Sequence, residues 1–115
     1  MKMKYTPEEW NQLNEKEKIE YMESMKHVLT MYSVYDRIAQ VYGSIVMSNK
    51  GDGNMSRDFF ELMNDKNQVK FYNNPGDYEL WKIGEFNERT GEIDTSTRTI
   101  IINGQAALDY RKKEE

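Results

Sequence analysis

Apolar positions recur along this chain with two periods, and the switches between them mark out its elements. Thr6-Pro7-Glu8-Glu9 opens a helix: the threonine can cap, the proline suits the first helical position, and Glu9 completes a capping box. Trp10 and Leu13 share one face. Asn14-Glu15-Lys16-Glu17 repeats the start signal, so this region is either one bent helix or two short ones meeting at Asn14. Ile19, Met22 and Met25 continue an apolar stripe with Tyr21 and Val28 beside it, and the Glu and Lys residues of 15–20 make a solvated outer side. From Leu29 to Tyr35 the period becomes two. Val41 to Met47 is a second β-rich run, with Gly43 marking a bulge or close approach. Joined through 36–40, the two form a hairpin over residues 30–47.

Ser48 to Asn54 reads as loop. Ser56 then caps a helix to about Asp65, whose buried side carries Phe59 and Met63, broadened by Phe60 and Leu62. Lys66 to Asn74 is a loop anchored at Val69 to Tyr72. Asn73-Asn74-Pro75-Gly76-Asp77 is a turn, since proline fixes φ, glycine permits positive φ, and Asn and Asp side chains bond nearby backbone. The stretch that follows organises the chain. Tyr78, Leu80 and Phe86 fall on one face of an extended run interrupted by Lys82 and Gly84, and Trp81 and Ile83 fall on the other, flanked by Glu79 and Glu85. Large apolar groups at the centre of both faces predict an inner strand covered on part of each side. Asn87 to Gly91 is a five-residue hairpin loop with its glycine near the left-handed region. Thr95 to Ile102 is the return strand, ended by Asn103-Gly104, and Gln105 to Lys113 has the propensity for a short helix.

These elements predict an α+β fold: a small antiparallel sheet of two hairpins, one central helix packed on a face, and an N-terminal helical arm partly on it. The expected divisions are the arm over 1–28, the α+β domain over 29–110 and a charged tail over 111–115. Two fates are open to the arm. Trp10, Ile19 and Met22 pack across the sheet of their own chain, or the arm reaches another subunit or a host protein through a groove contact.

With 115 residues, 37% of them hydrophobic and 31% charged, the chain has room for one modest core. No apolar run approaches the roughly 20 residues that span a bilayer, and Met1-Lys2-Met3-Lys4 leads into acids rather than a secretory signal. The expectation is no membrane association and a cytosolic location. The net charge of −4 is unevenly spread: −1 over residues 1–30, zero over 31–75 and −3 over 76–115. That field does not favour nucleic acid, so any DNA contact needs a local patch.

Chemistry is sparse. The absence of cysteine excludes disulfides and thiolates. One histidine, His27, near the end of the arm helix, leaves no transition-metal set. A calcium loop starting at Asp52 would need glycine at Arg57 and a bidentate acid at Met63, so it fails. Glycine spacing matches no phosphate loop. Asp36 and Asp77 sit at strand-to-turn positions, where accepting backbone N–H bonds outweighs a magnesium-binding pair. No catalytic group, metal or cofactor is expected, and the chain reads as a non-enzyme.

Two surfaces remain. Tyr32, Tyr35, Tyr42, Tyr72, Tyr78 and Trp81 lie on or beside strands, and with Arg37 and Lys82 nearby could stack unpaired bases. Alternatively these rings form the core under the central helix; Trp81 and Tyr78 suit the core better, Tyr35 and Tyr42 the surface. Lys82, Arg89 and Arg98 on the second hairpin are the candidate phosphate contacts, ahead of Arg111-Lys112-Lys113, which reads as a solvated, frayed end. In the opposite sense, Glu79, Glu85, Glu88, Glu92 and Asp94 could form an acidic ridge for a protein partner, or an ordinary edge that discourages strand pairing.

Residues 74–91, N-P-G-D-Y-E-L-W-K-I-G-E-F-N-E-R-T-G, resemble the nonstructural protein of gokushoviruses, small single-stranded DNA phages of the Microviridae. Pro75, Asp77, Tyr78, Leu80, Trp81, Ile83, Gly84, Phe86, Thr90 and Gly91 fit that family's pattern. Tyr32-Ser33-Val34-Tyr35-Asp36 is similar to its Tyr-x-Val-x-Asp opening, and Phe60 through Asp65 to its central helix. The resemblance covers roughly residues 31 to 94 and omits the arm. It implies a nonstructural, non-virion accessory protein in the host cytoplasm that assists single-stranded genome synthesis or packaging by touching single-stranded DNA or the phage replication protein. A homo-oligomer is compatible with it. The alternative is a small acidic inhibitor of a host defence or nucleic-acid-processing protein.

Overall fold

The computed structural model describes residues 5–114, with side chains as far as Arg111. Strands β1 (Val28–Asp36) and β4 (Tyr78–Asn87) pair antiparallel along their whole lengths, from Val28 opposite Asn87 to Asp36 opposite Tyr78. Short strands β2 (Val41–Tyr42) and β3 (Val46–Ser48) line the free edge of β1. Strands β5 (Ile93–Asp94) and β6 (Thr99–Asn103) line the far edge of β4. The run from Tyr78 is therefore an inner strand, and the fold is α+β with one antiparallel sheet. Gly91, at φ 77°, takes the left-handed turn expected of the second hairpin.

Helix α3 (Asp52–Met63) lies on one sheet face. Its Met55, Phe59 and Met63 close over Tyr32 and Leu80, and Ala107 of α5 (Gln105–Glu114) completes this core. Ile101 and Ile102 both turn toward it, a result of the register shift between Leu80 and Trp81, where the extra β6 residue breaks strict alternation. The helix begins five residues earlier than a cap at Ser56 predicts, with Gly51 in the cap position. Asp52 sits in its first turn, where a carboxylate is favoured, and is held by the Tyr32 hydroxyl (2.6 Å) and the Lys82 ammonium (2.9 Å). Ser56 is inside the helix, its Oγ donating to the Asp52 carbonyl at 2.9 Å. The local sequence hides this, because both anchors of Asp52 come from strands 20 and 30 residues away.

Two further segments depart from the expectation. The loop over 66–74 contains a helix, α4 (Val69–Asn73), followed by a single 3-10 turn over Pro75–Asp77. Phe71 of α4 meets Tyr78 edge-on at 4.6 Å, which fixes this segment to the sheet. The return strand starts at Thr99 rather than Thr95, because Asp94 accepts the Ser96 N–H (2.8 Å) and Arg98 donates its N–H to Thr95 (3.1 Å), closing a turn.

The arm consists of two helices, α1 (Pro7–Gln12) and α2 (Glu15–Met25), each started by a complete capping box at Thr6 and Asn14. It does not lie on the sheet. Trp10 packs against Tyr21 (5.6 Å) and Tyr5 within the arm, while Ile19 and Met22 remain 59% and 60% exposed. The tight turn at Lys26–His27 directs α2 away from the domain, and the Glu88 N–H donating to the His27 carbonyl (2.8 Å) fixes that turn to the tip of the second hairpin. The molecule is consequently 52 Å long, with a radius of gyration of 17.4 Å, against about 13 Å for a compact domain near this size.

Arg111 is a packed residue of α5. Its guanidinium donates to Asn64 Oδ1 (2.8 Å), the Met63 carbonyl (2.9 Å) and the Tyr72 carbonyl (3.3 Å), and lies 3.7 Å from the centre of the Tyr72 ring. The remaining charged groups of the expected tail, Lys112, Lys113, Glu114 and Glu115, have side chains outside the described residues, as do Met1 to Lys4.

Candidate functional site

The sheet face turned away from α3 carries a cluster of rings. Tyr35 near the end of β1 and Tyr42 in β2 face one another across the first hairpin, in register and edge-on at 4.4 Å. Trp81 of β4 joins them at 6.5 Å from Tyr35 and 6.0 Å from Tyr42. Small Ser33, opposite Trp81 in the β1–β4 register, leaves room for the indole. Trp81 thus belongs to the open face and not to the core under the central helix. Tyr78, on the other parity of β4, packs against that core as expected. The signal in the sequence was Glu79: a carboxylate two residues from Trp81 shares its face and argues for water there.

Arg98 reaches this cluster from the turn before β6. Its guanidinium carbon lies 4.9 Å from the Tyr42 ring centre and 5.5 Å from that of Trp81, within cation–π range, and Nη2 donates to the Tyr42 hydroxyl at 2.5 Å. Glu79 bounds the cluster, accepting from the Trp81 indole N–H at 3.1 Å and lying 3.9 Å from the Arg37 guanidinium. Arg37 is further held by its bond to the Gly76 carbonyl (3.0 Å). Two guanidinium groups and one carboxylate therefore frame three rings, of which Tyr42 is the most open. This arrangement offers aromatic faces for stacking, with Arg98 beside them for a phosphate.

The other basic candidates lie elsewhere. Lys82 points to the helix side of the sheet, where it pairs with Asp52. Arg89 sits in the hairpin loop at the far end of β4, its N–H donating to Asn87 Oδ1. Nor do the five acids form one ridge. Glu79 is engaged with Trp81 and Arg37, Glu85 and Asp94 face one another across β4 and β5, and Glu88 and Glu92 are exposed at the loop.

Asp36 serves its turn, accepting from the Ile38 and Ala39 N–H groups at 2.9 and 3.0 Å. It also stands opposite Tyr78 in the strand register, so Asp36 and Asp77 flank that phenol. Burial pushes the Tyr78 pKa up, and both carboxylates add to the rise. Among the described residues, no group of three or more His, Asp or Glu side chains is placed to hold a metal ion, and no helix is long and apolar enough to cross a membrane.

Comparison with known proteins bears on the domain that carries this face. Residues 29–107 match a family model described as Phage ORF5 protein. The chain is 30% identical over 90 residues to Protein ORF5 of Chlamydia phage 1, across 72% of this chain and 94% of that protein. Chlamydia phage 1 is a gokushovirus, the group whose nonstructural protein residues 31 to 94 resemble. The match begins one residue after β1 does and so leaves out the arm. No solved structure matches the chain.

Proposed function

The chain belongs to the phage ORF5 protein family, a group of phage accessory proteins, and on that premise we propose that it binds single-stranded DNA through the Tyr35–Tyr42–Trp81–Arg98 face. One observation carries this reading: three rings from three different strands converge on an open sheet face with a guanidinium seated against two of them. Rings on a sheet accept bases of any sequence, since every base has a π-face, and an arginine beside them reads only the phosphate charge. The role would be that of a binder, without catalysis, in the host cytoplasm during synthesis or packaging of the single-stranded genome. The phage replication protein would meet it on the same DNA.

The net charge of −4 works against phosphate contact, so binding should be modest, micromolar, and carried as much by stacking as by phosphate contact. Labelled single-stranded DNA titrated at about 50 and about 200 mM salt should bind more weakly at the higher value. Tyr42→Ala should weaken binding about five- to a hundredfold, the range for loss of one stacking ring. Arg98→Ala should lower both affinity and salt dependence. Arg89→Ala, at the distant hairpin tip, should leave both unchanged. Equal losses in Arg89→Ala and Arg98→Ala would move the contact to another surface.

A further inference from the structure

We propose that the chain forms a two-fold dimer in which each N-terminal arm lays the Ile19–Met22 side of α2 into an apolar groove of the other copy. The groove runs along the free edge of β1, between the β2–β3 segment and helices α3 and α4. It consists of two adjoining hollows of about 410 and 460 Å³ that share Val34, Gly43 and Phe71. Val46 and Leu62 border the first, and Val69 borders the second. Around it Val41, Val46 and Val69 stay more than half exposed. A soluble domain rarely leaves so much contiguous apolar surface open without an occupant.

The same chain carries an apolar stripe that is more than half exposed among the described residues. Ile19 and Met22 are one turn apart on α2 and face water. A helix laid in a groove is anchored by residues at this spacing. Charge matches on the α4 side alone: arm residues 7–25 hold six glutamates and two lysines, while residues 66–76 hold Lys66 and Lys70 and no carboxylate, with Asp36 and Asp58 bordering the groove elsewhere.

The arm is aimed away from its own groove. It leaves the domain at Val28, whereas the groove lies beside Tyr32 to Asp36, at the other end of β1. The turn that sends it outward is bonded to the hairpin tip through His27 and Glu88. A second copy related by a two-fold axis, with the two hairpin tips abutting, meets the requirement. The near end of the groove, beside Tyr32 and Val46, is then about 13 Å from the tip at ~3.3 Å per strand residue, and Ile19 lies a similar distance along the arm from Val28 at ~1.5 Å per helix residue. Both arms are satisfied at once, and the assembly closes.

Light scattering of the full chain, from micromolar to high-micromolar concentration, should give twice the 13.7 kDa chain mass. The double variant Ile19→Glu with Met22→Glu should be monomeric with an unchanged domain, because neither residue supports the core. The chain lacks cysteine, so Met22→Cys with Val46→Cys gives a clean probe, and oxidation should yield a covalent dimer. A monomeric wild type, a dimer that survives the double variant, or a disulfide closed within one chain would each overturn the proposal. The last result would assign the groove to the chain's own arm. A monomer that binds an added acidic amphipathic helix would assign it to a foreign protein.

Discussion

A buried phenol is costly unless its hydroxyl finds a partner. Tyr32, the largest of the fully buried side chains at 1% exposure, finds Asp52 at 2.6 Å. Its own ionisation is driven far up, first by burial and then by that carboxylate. Partial burial works against the Asp52 carboxylate, but the Tyr32 hydroxyl and Lys82 ammonium outweigh it and hold its pKa below the ordinary value. The sign of the pH dependence follows. A carboxyl whose folded pKa lies below its unfolded one stabilises fully above the unfolded value, near 3.8, and loses that contribution as pH falls through the folded value. Urea unfolding of wild type and Asp52→Asn from neutral pH downward should therefore converge in the acid range. Tyr32→Phe should cost about 1–2 kcal/mol at neutral pH. At the other end of the core, Arg111 makes charge-assisted bonds to three residues and covers Tyr72. Arg111→Ala should lower stability by about 2–4 kcal/mol in the same measurement, and Arg111→Lys should restore only part, since an ammonium cannot reproduce the planar fork.

Among the elements, most features set within a few residues are legible in the sequence and those set by distant partners are not, the local turn over 94–98 being an exception. The capping boxes at Thr6 and Asn14 and the turn at Gly91 are decided within a few residues. The alternation from Leu29 to Tyr35 likewise marks β1, and apolar groups on both faces of the run from Tyr78 mark β4 as an inner strand, but nothing local pairs the two. By contrast, the start of α3 depends on Tyr32 and Lys82, and α4 on the contact of Phe71 with Tyr78. In the sequence Trp81 suits the core better than the surface, since both faces of its strand carry large apolar groups, and only the placement of α3 decides which face is covered. Of the candidate binding residues, Tyr35, Tyr42 and Arg98 meet in space, and Arg37 joins them through Glu79. Lys82 and Arg89 do not, because the β4 pleat and the hairpin length separate them. Gly104, between β6 and α5, packs so closely on the Pro75 carbonyl that a methyl group there would overlap it. Gly104→Ala should therefore cost about 2–4 kcal/mol in chemical denaturation, by forcing the 3-10 turn away from α5.

On the scale of the whole molecule, the two faces of the sheet divide the work. One is closed by α3 and α5 and supplies the stability. The other, with Tyr35, Tyr42, Trp81 and Arg98, has no helix over it among the described residues and is the face proposed to meet DNA. The groove lies on the helix side of the sheet, among α3 and α4 residues, so an arm seated in it would leave the ring cluster on the other face uncovered in each copy. Binding of DNA and self-association are then separable, and the Ile19→Glu, Met22→Glu variant should retain DNA affinity per chain while losing its second copy. The most direct test of the binding face uses its own indole. The chain has two tryptophans, and Trp10→Phe in the arm leaves Trp81 as the sole reporter. Addition of an unstructured single-stranded oligonucleotide should quench and shift Trp81 emission at about 50 mM salt, with the effect weakened at about 200 mM and in Arg98→Ala. An emission spectrum unmoved by DNA at the lower salt would contradict the account.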